Sequence, residues 1–216
     1  MVKDTRGFTL VEFLIAMAIT AAVLGGTVAL ASQIQRSYST QLDDTTAEEE
    51  VRFALDWISQ ALRNAGTNPY GISVSTCASA AFSAITLDPD GDGDDDDVQI
   101  HADINPPDGL LGGQPGACGD PVNGAGEDVT IAYDPDELVI TRQDNNADDD
   151  PVTMTEPVIG GLTFTYLNSA RVATTDPDLV AYVQVAITAR SQARTSIQAG
   201  EAAAYTLTTE VRLRTR

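Results

Sequence analysis

The sequence predicts an α+β fold in which one long N-terminal helix, apolar in its first half and amphipathic in its second, packs on an antiparallel β-sheet. Three observations predict it. The 24 residues from Phe8 to Ala31 form an apolar run with a single charge, Glu12. From Val51 to Ala65 apolar residues recur at helical spacing, and from Val129 onward they recur at alternate positions.

The first element is the apolar run. At 1.5 Å per residue a helix of that length spans roughly 36 Å, enough to cross a hydrocarbon core of about 30 Å. Lys3 and Arg6 precede the run and no cation follows until Arg36, so the positive-inside bias places the N-terminus in the cytoplasm and the bulk of the chain outside. An ordinary secretory signal is the competing reading, and Ala29-Leu30-Ala31 resembles its cleavage site. Such signals, however, have apolar regions of about 7–15 residues and gain nothing from a carboxylate. Glu12 must either reach the membrane edge or meet a cation. A cut between Gly7 and Phe8 would create an α-amino cation four residues from it.

Gly7-Phe8-Thr9-Leu10-Val11-Glu12, behind a short basic leader and ahead of an apolar helix, resembles the N-terminal signature of type IV pilins and type II secretion pseudopilins. The resemblance implies that prepilin peptidase cuts after Gly7 and methylates the Phe8 amine. It also implies that Glu12 neutralises a neighbouring subunit's N-terminus during assembly. The chain would then wait in the inner membrane, its C-terminal domain in the periplasm, before joining other pilin or pseudopilin subunits through this helix in a pilus or pseudopilus. Unlike many pilins, the run has no proline. Gly25-Gly26 is the expected weak point, since glycine lowers helix stability by about 1 kcal/mol relative to alanine.

Ser32 to Glu50 is polar and free of Gly and Pro, so the helix can continue. Val51, Ala54, Leu55, Ile58, Ala61, Leu62 and Ala65 then mark a one-sided stripe for a sheet to cover. Phe53 and Trp57 fall off it. Gly66 supplies a stop, and Asn68-Pro69 prevents resumption. The stretch VRFALDWISQALRNAG resembles the corresponding part of PilW-type minor pilins and J-type pseudopilins.

Residues 67–128 are rich in Gly, Pro, Asp and Asn, with short strands expected at Ala84 to Leu87 and Val98 to His101. Seven carboxylates crowd the ten residues from Asp88 to Asp97. Hard cations such as calcium take six to eight oxygens, and alternate residues in a tight turn can aim side chains at one centre. Asp88, Asp90, Asp92, Asp94 and Asp96 are therefore candidate Ca2+ ligands. The pattern starts like an EF-hand loop but has Gln99 where the closing Glu belongs, and no flanking helices. The alternative is a solvated acidic loop. A second cluster, Asp144 to Asp150, lacks the glycine.

Cys77 and Cys118 are expected to form a disulfide in an exported chain, with two free thiols as the alternative. Beyond them, Val129 to Tyr133 and Leu138 to Arg142 read as a hairpin across Asp134-Pro135-Asp136. Leu162 to Tyr166, Val183 to Ile187 and Tyr205 to Leu213 alternate in the same way. The expected organisation is a leader over 1–7, a membrane or filament-core helix over 8–31, an amphipathic helix over 32–66 and a β-rich extracytoplasmic domain over 67–216.

A formal net charge of -20 argues against a nucleic-acid partner, whose phosphates need Lys and Arg clusters. His101 is the only histidine and no phosphate-binding glycine loop precedes a helix, so the expectation is a non-enzyme. The functional reading is a pilin-like structural subunit, minor or initiating in a type IV pilus. Its alternatives are a minor pseudopilin of type II secretion, or a membrane-tethered, calcium-dependent binding module that does not polymerise.

Overall fold

The computed structural model describes residues 9–71, 82–105, 107, 111, 124–146, 150–190 and 204–214. The chain forms two compact units, Met1–Asp44 and Thr45–Arg216. A single helix, α1 (Leu10–Asn64), supplies the described part of the first unit and the opening of the second.

In the first unit the large apolar side chains of α1, among them Leu10, Phe13, Leu14, Val23, Leu30 and Ile34, are all exposed. A helix apolar all round is suited to lipid or to other helices. This one is long and apolar enough to cross a membrane. Four of its hydroxyls are masked from that surface, because Thr20, Thr27, Ser32 and Ser39 each donate to a carbonyl one turn back. At the expected weak point, Gly25-Gly26, the helix continues without a break.

The second unit begins on the same helix but under a different rule. Val51, Ala54, Ile58, Leu62 and Ala65 are completely buried, while Phe53 on the other side is 54% exposed. Trp57 packs against the edge of the core.

The stripe meets two antiparallel sheets where one was expected. The first is a five-stranded meander of β1 (Ile85–Leu87), β2 (Asp97–His101), β3 (Asp128–Asp134), β4 (Val139–Asp144) and β5 (Val152–Thr153), in sequence order. The second joins β6 (Ile159–Leu167), β7 (Tyr182–Arg190) and β8 (Ala204–Arg212). Alternation places Val98 opposite Ile131 in one sheet, and Phe164 opposite Val185 in the other. All four are buried in the core that both sheets share with the helix.

The alternating pattern is the same whether strands form one sheet or two, so the sequence did not reveal the break. It falls after β5. As the chain runs from β5 into β6 it bonds back to β4 and its start: Ile140 N–H donates to Thr155 Oγ1 at 2.9 Å and Ile159 N–H to the Leu138 carbonyl at 3.0 Å. From the other side, Phe164 N–H donates to the Asp95 carbonyl at 2.7 Å, linking β6 to the segment that leads into β2. The sheets are stitched at single bonds rather than paired along a ladder. Strand β5 itself has two exposed residues, too few to show a period.

Gly66 ends the helix as expected. Its φ of +75° is the left-handed conformation, and its N–H donates to the His101 carbonyl at 2.9 Å. A Cβ there would lie 2.7 Å from the Arg214 carbonyl oxygen. Gly71 has a similar φ of +69° but open space around it. Gly71→Ala should therefore cost only the left-handed penalty of about 1–2 kcal/mol. Gly66→Ala should cost clearly more and lower the thermal midpoint by at least about 5 °C. Equal midpoints for the two variants would show that the Arg214 backbone yields without cost.

Candidate functional site

Two places in the described chain concentrate polar chemistry. The first is the start of α1. Thr9 precedes the helix, and Glu12 turns back onto it: Glu12 Oε2 accepts from the Thr9 N–H at 2.9 Å and from the Thr9 hydroxyl at 3.0 Å. The Glu12 N–H in turn lies 3.2 Å from Thr9 Oγ1. This is a reciprocal capping box, which satisfies donors that a helix start leaves open and sets a carboxylate at the positive end of the helix dipole. The signal for it, Thr9-x-x-Glu12, is present in the sequence, and it gives Glu12 a local partner besides the membrane edge or a cation. Gly7 and Phe8 lie outside the described residues.

The second place is the acidic turn between β1 and β2. Asp88, at a φ of 46°, opens it, and Gly91 and Gly93 follow at 76° and 93°. The two Asp88 oxygens accept from the N–H groups of Gly91 at 2.9 Å and Gly93 at 3.1 Å. Asp90 and Asp92 each accept from the amide two residues on. The chain then enters β2 at Asp97, whose backbone is paired opposite Ala132.

Asp97 is only 2% exposed. Its Oδ2 accepts from the Asp90 N–H at 3.3 Å, while Oδ1 is buried without a hydrogen-bond partner. Burial, with the negative charges of Asp90, Asp88 and Asp96 beside it, pushes the Asp97 carboxyl up to about 6. Asp96 is raised in the same direction, first by burial and then by Asp92 and Asp94. The Tyr166 hydroxyl donates to the Asp97 carbonyl at 3.2 Å, which ties the site to the second sheet.

Among the described residues, Asp88, Asp90 and Asp97 each bring a carboxylate oxygen within 4.8 Å of the other two. Of the five ligands expected from spacing, the structure thus gathers Asp88 and Asp90. Asp92, Asp94 and Asp96 do not join that group, and Asp97 does. The reason is topological, since a loop template counts along a continuous turn whereas here the strand begins within it.

Two other acidic side chains near this sheet, Glu127 and Asp128, are engaged structurally. Buried Glu127 accepts from the N–H groups of Ile104 and Asn105 through Oε1. Asp128 accepts from Gln99 and Asn145. His101 lies between Ser83 and Asp128, with Nδ1 3.0 Å from the Ser83 carbonyl and Nε2 3.7 Å from Asp128 Oδ1. Cys77 and Cys118 lie outside the described residues.

Residues 2–28 match the family model for the prokaryotic N-terminal methylation motif. That stretch includes Gly7, Phe8, Glu12 and most of the apolar run, and it ends before the second unit begins. No curated protein and no solved structure matches the chain.

Proposed function

We propose that this chain is a non-enzymatic, pilin-like structural subunit, anchored in the inner membrane by its N-terminal helix and assembled from there into a type IV pilus as a minor or initiating component. The match of residues 2–28 to the methylation motif carries the reading. From Leu10 onward the matched stretch lies on a helix whose apolar side chains are exposed on every side through the first unit. Lipid before assembly and a bundle of similar helices after it are two solvents that such a surface tolerates equally.

The chemistry follows from the ends of the motif. Prepilin peptidase would cut after Gly7 and methylate the Phe8 amine, leaving a cation at the mouth of the helix. Glu12 Oε2 is engaged by Thr9, and Oε1 is the oxygen on which a neighbouring subunit's amine would settle. A pseudopilus of type II secretion would use the same chemistry, and the subunits that co-purify with the chain distinguish the two machines. The minor role rests on the likeness of the Val51 to Gly66 stretch to PilW-type subunits.

N-terminal sequencing and intact mass of the protein recovered from cell membranes test the processing directly. The mature chain should begin at Phe8 and be one methyl group heavier than its sequence. A start at Ser32 would make the apolar run an ordinary secretory signal, and a start at Met1 would leave the chain an unprocessed tether. Either would overturn the proposal.

A further inference from the structure

We propose that Asp88, Asp90 and Asp97 hold one calcium ion at the base of the acidic turn. A crowd of surface carboxylates would not suffice for this, because hydration alone can stabilise them. What sets this group apart is Asp97. It is 2% exposed, and its Oδ1 is buried with no hydrogen-bond partner, although buried polar atoms are nearly always satisfied. That orphaned oxygen belongs to a carboxylate that faces two more of the same charge within 4.8 Å. A cation among the three removes the mutual repulsion and gives the buried Asp97 carboxylate a partner.

The ligand set is all oxygen, with no sulfur or imidazole among the three. That selects a hard divalent ion. An ion centred among oxygens no more than 4.8 Å apart lies at most about 2.8 Å from each, so a slight closing of the turn reaches the calcium range of about 2.3–2.6 Å. Calcium accepts irregular sets of six to eight oxygens, whereas magnesium demands a near-ideal octahedron. Asp97 supplies the fixed side of the cradle, held by its pairing with Ala132 and by Tyr166 on its carbonyl. Asp88 and Asp90 come from the turn above it and would close on the ion.

The inference requires only the folded second unit and is independent of filament assembly. The test uses the full-length chain in detergent micelles, with calcium titrated by calorimetry and thermal unfolding followed in calcium and in chelator at matched ionic strength. One site should titrate, and calcium at about 100 times its dissociation constant should raise the midpoint by about 5–10 °C. Asp90→Asn and Asp97→Asn should each weaken binding at least tenfold, while Asp94→Asn leaves it unchanged.

A proton shared within the group is the competing occupant. In that case Asp97→Asn would raise the midpoint in chelator, and the native chain would show no calcium shift. Absence of binding, an equal shift with sodium or magnesium, or unaltered binding in Asp90→Asn would overturn the assignment. Because Asp90 is on the exposed turn, that variant decides the matter even if Asp97→Asn does not fold.

Discussion

Replacing Glu12 with alanine should abolish incorporation of this chain into filaments while leaving the second unit folded and the chain in the membrane. The measurement is the amount of protein in sheared filaments against the amount in membranes, with protease resistance of the second unit as the folding control. Alanine alone is ambiguous, because it removes two things at once: the negative charge, and the acceptor that Glu12 offers to Thr9. Glu12→Gln separates them. The amide oxygen can still accept from the Thr9 N–H and complete the capping box, but it offers a neighbouring amine no charge. If neutralising that amine drives assembly, glutamine should fail as alanine does. Normal assembly of Glu12→Gln would show that Glu12 serves its own helix only, and the assembly role would be lost.

That ambiguity reflects how the sequence reads at this point. A carboxylate inside an apolar run draws attention as a charge needing a partner, and the local partner three residues back is easily passed over. Much of the rest was legible. The stripe from Val51 to Ala65 is buried where its spacing indicated, with Leu55 and Ala61 partly covered at its margins. Gly66 stops the helix in the left-handed conformation that glycine permits. Every strand expected from alternation is present.

Two things were not legible, for different reasons. Alternation reports which face of a strand is buried but not which strands share a ladder, so the break between β5 and β6 had no sequence signal. Asp97 was hidden by its neighbours, one of seven carboxylates within ten residues, and only the start of β2 singles it out for burial. In both cases the missing information is pairing between distant residues, which local periodicity does not carry.

The largest loss of stability is expected at Ile58. It is completely buried on the stripe of α1, in a core to which both sheets contribute. Ile58→Ala should cost about 2–5 kcal/mol through lost burial and the cavity left behind. Ile58→Asp adds an unpaired buried charge, and the sum approaches the roughly 5–15 kcal/mol that holds a whole domain together. The second unit should then unfold and become sensitive to protease. Phe53 lies on the same helix, five residues earlier, and is 54% exposed. Phe53→Ala should change stability by no more than about 0.5 kcal/mol. Neither substitution touches the apolar run, so both chains should still reach the membrane. Comparable losses for Ile58→Ala and Phe53→Ala would mean that the helix is not the centre of this core. The expected contrast has a physical source in the change of burial along α1, from exposed apolar residues on all sides before Asp44 to a one-sided stripe from Val51. A substitution in the first stretch therefore acts on what the helix joins, and one in the second acts on whether the domain folds.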